Sequence, residues 1–381
     1  MMRVPMIGVL GTAATTEAVP TNSIECALEV GREIARSGAI CVSGGMSGVM
    51  NAASKGARSL GGIVVGIAPG LERGECSPYL TVAIMTGLGT VRNVVNVRAP
   101  DSLIAIGGGF GTLNELLIAY EDHKPAIVIE GSGGWSDRLR SVLLDETYFD
   151  DQRKAPMYFV RTPAEAVALA LKLSGEPLPS NVQLHAPQEP AIQPPHIGVL
   201  TPDLPLAGEP LEDVTLESAG QVGRLLAERG AVTICDPGQG AQARVSQGAA
   251  ERGGIVASIL GSMSKADANN HVMIPVRTGL GKATYSLPVR ASDALIVVGG
   301  DAGVLNQLTL CYFHSRPVVI LRNSGSWANR LPDLLWEGKY LDWRKNIEFH
   351  FAQTPEQAVD LAMQLGYKPP SQIEPKYDVK E

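Results

Sequence analysis

Ile104-Ala105-Ile106-Gly107-Gly108-Gly109-Phe110-Gly111-Thr112-Leu113-Asn114-Glu115 contains three kinds of chain in succession. Leu103 to Ile106 is a short apolar run closed by glycine, the pattern of a buried strand. Gly107, Gly108, Gly109 and Gly111 form a loop that few side chains obstruct, with Phe110 among them. Thr112 is placed to cap a helix that continues through Glu115 and Leu116 to about His123. A glycine loop feeding a helix N-terminus aims backbone N–H groups and the positive end of the helix dipole at one spot, which suits a phosphate. Glu115, in the first helical turn, brings a carboxylate to the same mouth.

The strand, glycine loop and helix succession recurs upstream. Ser43-Gly44-Gly45-Met46-Ser47-Gly48 repeats it, and Gly11 and Thr12 follow directly on the first strand candidate, Ile7–Leu10. A third segment, Thr86-Gly87-Leu88-Gly89-Thr90-Val91-Arg92-Asn93, supplies an arginine. Further strand candidates are Ala39–Val42, Ile63–Ile67, Val82–Met85 and Ala126–Ile129. Helical patterns lie at Ile24–Arg36, Ser47–Ser59, Val91–Ala99, Thr112–His123 and Pro163–Leu173. Apolar strands alternating with amphipathic helices indicate an α/β domain, a doubly wound, Rossmann-like parallel sheet covered on both faces. Ligands in such sheets bind outside the carboxyl ends of the strands. One glycine-rich turn would be explained by tight packing alone. Two in one domain, with Arg92 and a downstream Glu115, favour an anion site of N–H donors, dipole and forked cation. No G-x-x-x-x-G-K-[ST] occurs, and Gly107–Thr112 lacks the G-x-G-x-x-G spacing, so neither a P-loop nor a dinucleotide site is indicated. No cofactor and no metal are expected.

The same architecture is written twice. Thr86-Gly87-Leu88-Gly89 returns as Thr278-Gly279-Leu280-Gly281, and Gly61-Gly62-Ile63-Val64 as Gly253-Gly254-Ile255-Val256. Trp135 returns as Trp327 and Thr162-Pro163 as Thr354-Pro355, every pair 192 positions apart. Chance matches would not keep one offset, so the chain is an internal duplication. The expected organisation is a first domain over 1–174, a Pro-rich linker over 175–196, a second domain over 197–367 and a loose tail over 368–381.

Bulk properties agree. The 381 residues suffice for two ordinary domains, and 45% hydrophobic with 19% charged residues fits α/β cores. The formal net charge of -7 argues against a nucleic-acid partner. Five cysteines without C-x-x-C spacing read as reduced thiols of a cytoplasmic protein. No apolar stretch is long enough to span a bilayer, so no membrane association is expected. The apolar N-terminus faintly resembles a signal peptide, but Ile-Gly-Val-Leu recurs at Ile197–Leu200, so Ile7–Leu10 is read as a strand.

Gly107-Gly108-Gly109-Phe110-Gly111-Thr112-Leu113-Asn114-Glu115 resembles the P-G-G-x-G-T-x-x-E motif of the LOG-like (lysine decarboxylase-like, SLOG) family. That family includes cytokinin riboside 5'-monophosphate phosphoribohydrolases. With Gly107 in place of the motif's Pro, the resemblance is to a subgroup that includes proteins similar to molybdenum cofactor carriers. Arg92 matches the family's catalytic arginine, and Ser43–Gly48 its first glycine loop. The resemblance implies a phosphorylated, nucleotide-like ligand held by both loops, with Glu115 and Arg92 acting in cleavage of an N-glycosidic bond. Two departures stand against hydrolysis and for a carrier or sensor of a phosphorylated pterin or nucleotide: Asn93 stands where the hydrolases commonly carry Lys, and Gly107 replaces Pro.

The 192-residue offset turns Glu115 into Gln307, Arg92 into Thr284, Thr112 into Val304, Gly109 into Asp301 and Gly44-Gly45 into Asp236-Pro237. Gln is no base, Thr carries no positive charge, aspartates repel phosphate and Pro237 lacks an N–H. The second copy is therefore expected to keep the fold without the phosphate chemistry. Its two aspartates are read either as helix caps or as acceptors for a different, cationic ligand. Family members commonly pair as homodimers, so the resemblance implies an internal pseudo-dimer of the two halves, with further homo-oligomerisation open.

Overall fold

In a computed structural model the described residues are 4–13, 21–175, 193–202 and 211–366. The expected tail at 368–381 and positions 176–192 of the expected linker lie outside them. The chain divides into two compact units between Gln193 and Pro194.

The first unit runs β1 (Met6–Gly11), α1 (Thr21–Arg36), β2 (Ile40–Ser43), α2 (Val49–Ser59), β3 (Val64–Ala68), β4 (Val82–Met85), α3 (Arg92–Arg98), β5 (Ser102–Ile106), α4 (Phe110–Glu121), β6 (Ala126–Ile129), α5 (Leu139–Val142), β7 (Met157–Val160) and α6 (Pro163–Ser174). Its seven strands form one sheet in the order β4-β3-β2-β1-β5-β6-β7, and every pairing is parallel. The strands are apolar because both faces are covered. Ile7, Val9, Ile104, Ile106, Ile127 and Ile129 face one core, while Leu103, Ala105, Ala126 and Val128 face the other. The strand order reverses between β1 and β5, where Gly11 lies opposite Ile106. That reversal opens the crevice in which such sheets bind ligands. The sequence patterns missed β7, an edge strand with only Met157 fully buried, so no unbroken apolar run marks it.

The second unit repeats this. β8 (His196–Leu200), β9 (Val232–Cys235), β10 (Val256–Leu260), β11 (Ile274–Arg277), β12 (Ala294–Val297), β13 (Val318–Leu321) and β14 (Phe349–Ala352) pair in the order β11-β10-β9-β8-β12-β13-β14. Between them run α7 (Asp213–Glu228), α8 (Ala241–Glu251), α9 (Ser286–Ala291), α10 (Ala302–Phe313), α11 (Ser326–Leu334) and α12 (Pro355–Gly366). Ile296 and Val319 face one core, Leu295 and Val318 the other. Among the described residues no helix is long and apolar enough to cross a membrane.

Candidate functional site

The carboxyl ends of β1, β2 and β5 bring the glycine loops of the first unit together. Gly107 (φ 60°) and Gly108 (φ 99°) turn the chain from β5 into α4 through backbone conformations that side chains rarely adopt. The turn after β6 holds them in place. Gly107 N donates to Ser132 Oγ at 2.8 Å, and Ser136 N (3.0 Å) and Oγ (2.9 Å) both donate to Gly107 O. Trp135 N donates to Gly108 O at 3.0 Å, and Ser23 Oγ of α1 donates to Ser132 O.

The helix begins one turn earlier than its sequence suggests. Gly109, not Thr112, is the N-cap of α4, and it offers no side-chain acceptor. Thr112 instead sits buried in the first turn, backing Gly108. A Cβ placed on Gly109 or Gly111 would meet nothing within 4 Å. Neither glycine is required for packing, and their bareness leaves the backbone N–H groups of the first turn open to solvent. Phe110 between them is 84% exposed.

Arg92 opens α3 and Glu115 lies one turn into α4, and both are buried. Arg92 Nη1 stands 3.4 Å from Glu115 Oε1. Asn96, one turn along α3 from Arg92, donates through Nδ2 to the same Oε1 at 2.7 Å. Burial pushes the Glu115 carboxyl up to about 7, against the opposing pull of Arg92 and the Asn96 hydrogen bond. Burial likewise lowers Arg92 from its ordinary value, and Glu115 counters it. The result is a buried pair whose carboxyl is poised near neutrality, the usual property of a proton-handling group. Gly44 is part of it: a Cβ there would lie 2.6 Å from Arg92 Nη1 and 2.7 Å from Nη2, so only glycine leaves room for the guanidinium.

The other expected residues lie on the ends of β1 and β2 and the loops that follow them. Gly45 is buried beside Gly44, and Gly48 is the N-cap of α2 with no side-chain cap. Gly11 ends β1 against Val49, and Thr12 O accepts from Val49 N at 3.1 Å. The Ser47 hydroxyl is engaged with Ala13 O. Asn93 donates to Asn114 Oδ1 at 3.0 Å and adds no cation. Sequence reasoning missed Asn96, Ser23, Ser132 and Ser136. A signal for two of them was present: Asn96 is four residues from Arg92, hence on its helix face, and Ser132 recurs as Ser324 at the 192-residue offset.

The second unit keeps the scaffold and changes the site. Gly299 N donates to Ser324 Oγ at 2.9 Å and Thr215 Oγ1 to Ser324 O at 2.6 Å, repeating the contacts of Gly107, Ser132 and Ser23. Asp301 caps α10, its Oδ1 accepting from Val304 N at 2.9 Å. Gln307 donates to Asp236 Oδ2 at 3.1 Å, and Thr284 turns its hydroxyl onto Gly281 O.

The chain matches the SLOG cluster4 family over residues 4–167 and again over 197–359. It is 39% identical over 136 residues to an uncharacterized protein of Archaeoglobus fulgidus, covering 34% of this chain and 87% of that one. It is 32% identical over 151 residues to the cytokinin riboside 5'-monophosphate phosphoribohydrolase of Mycobacterium tuberculosis, covering 37% of this chain and 81% of that one. Among solved structures, the molybdenum cofactor binding protein of Rippkaea orientalis is similar at 26% identity and a TM-score of 0.39, covering 46% of this chain and 99% of that one.

Proposed function

We propose, from the premise that this chain belongs to the SLOG cluster4 family, that its amino-terminal unit binds a nucleoside 5'-monophosphate and hydrolyses its N-glycosidic bond. The phosphate would rest on the bare first turn of α4 and the Gly44–Gly48 loop, held by N–H donors, the helix dipole and Arg92. Holding the phosphate fixes the ribose beside Glu115. Rupture of the C1'–N bond develops positive charge on the ribose, which an ionised Glu115 stabilises. Water oxygen then bonds to C1' as Glu115 takes one water proton, and that proton passes on to the departing base nitrogen, leaving free base, ribose 5-phosphate and an ionised Glu115.

The observation that carries this reading is the Arg92–Glu115 pair, buried and 3.4 Å apart beside an uncapped helix N-terminus. The named M. tuberculosis relative supports the substrate class. The test is release of free base from a panel of nucleoside monophosphates. Turnover by the wild type that is lost in Glu115→Gln is expected; turnover that survives that change removes Glu115 from the chemistry.

A second reading is favoured by Asn93, which pairs with Asn114 instead of presenting the lysine common among the hydrolases. In it, the same site is a non-catalytic carrier or sensor of a phosphorylated ligand, a pterin such as molybdenum cofactor or a nucleotide. It predicts saturable binding with no base released.

A further inference from the structure

The second unit's crevice has acquired polar groups in the places where it lost those for phosphate. Thr201, directly after β8, stands where the first unit has Gly11 at the end of β1, Gln242 stands where it has Met50, and Asp236 where it has Gly44. These three line one cavity of about 420 Å³ at the carboxyl ends of the strands. That is within the size range of small-molecule sites.

Two of these side chains carry a polar atom without a partner among the described residues. Gln242 and Thr201 are each 3% exposed. Gln242 Nε2 donates to Thr201 O at 3.0 Å, which fixes the amide so that its oxygen is the free end. That oxygen, Gln242 Oε1, and the hydroxyl Thr201 Oγ1 are buried with no hydrogen-bond partner among the described residues. A buried acceptor without a donor is costly, and native chains keep few of them. Both residues belong to the cavity wall, so a ligand donor would satisfy them. Asp236, Asp267 and Asp301 add three carboxylates to the lining against one ammonium, Lys282. Tyr285, 36% exposed, offers an aromatic face on the same wall, with Ile259 and Val304 as apolar lining.

Acceptors, net negative charge and a stacking face select a planar ring that carries N–H donors. The same features reject phosphate: Asp301 fills the helix N-terminus with its own carboxylate, and Pro237 removes a backbone donor. We propose that the second unit is a distinct binding site for a planar, amino-bearing heterocycle without phosphate, as free base or riboside. It does not depend on the first unit's activity.

The test is calorimetric titration of the full chain, carrying Arg92→Ala to silence the first site, with adenine, cytosine, adenosine, cytidine and adenosine 5'-monophosphate. One equivalent of a base or its riboside is expected to bind, the pair of arms telling which, and the monophosphate at least tenfold more weakly. Gln242→Met and Asp236→Gly, which restore the first unit's residues, and Tyr285→Ser are each expected to weaken binding about tenfold or more. Thermal melts identify any variant that fails to fold, and the remaining variants carry the test. Absence of binding by all four phosphate-free compounds at millimolar concentration overturns the proposal. So does equal affinity for the monophosphate, or affinity unchanged in every folded variant.

Discussion

Gly109 and Asp301 hold the same N-cap position 192 residues apart, on nearly the same backbone: φ -107°, ψ -155° for the first and φ -130°, ψ -168° for the second. Only Asp301 closes its helix, accepting from Val304 N at 2.9 Å. One residue thus separates a helix end that is open to an external anion from one that supplies its own. An aspartate cap is worth only about 0.3 kcal/mol over glycine, which is itself tolerated at the N-cap, so the open end costs the first unit little stability.

Gly109→Asp should therefore both stabilise the first unit and blind it. A Cβ at Gly109 meets nothing within 4 Å, and the extended backbone already suits an aspartate cap. The expected outcome is a rise in unfolding free energy of about 0.3–1 kcal/mol, from cap and helix dipole together, with affinity for phosphorylated ligand lost at least tenfold. Denaturant unfolding and calorimetric titration measure the two effects. Retained affinity would mean that the phosphate does not use the N-terminus of α4.

The raised Glu115 carboxyl makes a prediction about stability. Its pKa is about 7 in the folded chain against an ordinary 4.5. Between those values the folded chain keeps a proton that the unfolded chain has released, so unfolding free energy falls as pH rises from about 4.5 to 7. The full loss is up to about 3 kcal/mol. Glu115→Gln has no proton to lose at this position. Its stability should decline less than the wild type's between pH 5 and pH 8, by about 1–3 kcal/mol. Parallel pH profiles for the two proteins would show that the carboxyl ionises normally.

Gly44→Ala tests how closely the backbone supports the arginine. The added methyl would stand 2.6 Å from both Arg92 Nη1 and Met50 Sδ, the far ends of two flexible side chains, so the guanidinium must shift. Phosphate affinity should fall about tenfold or more, the worth of a displaced charge-assisted contact. The secondary-structure signal in circular dichroism should remain native. Undiminished affinity would place the phosphate away from Arg92.

What the sequence revealed and what it hid divide along physical lines. β5 was legible because a strand buried on both faces is continuously apolar, as Ser102–Ile106 nearly is. The substitutions in the second unit's crevice are legible from the 192-residue offset, and of the two readings of Asp301 the structure shows the helix cap. The start of α4 was misplaced because an N-cap glycine has no side chain to announce it, while Thr112 has the right chemistry in the wrong turn. The contacts of Ser132 and Ser136 with Gly107 were invisible because they join β6 to β5 across the sheet's top, and hydroxyls carry no periodic mark. Asn96 lies on a seven-residue helix, too short for its polar face to stand out from its surroundings.

Asn96 is nevertheless the residue that tunes Glu115. Its Nδ2 donates to Glu115 Oε1 at 2.7 Å and favours the ionised carboxylate, working with Arg92 against burial. Asn96→Leu keeps the branched outline of the side chain and removes the donor, so the carboxyl should titrate above its present value of about 7. The expected displacement is about one pH unit, equivalent to roughly 1.4 kcal/mol. The carboxyl carbon resonance of isotopically labelled glutamate, assigned by its absence in Glu115→Gln, reads this directly without turnover. If the chain hydrolyses nucleotides, the acid limb of kcat/KM should move to higher pH with it. A merely structural Asn96 would lower stability and leave that titration where it is.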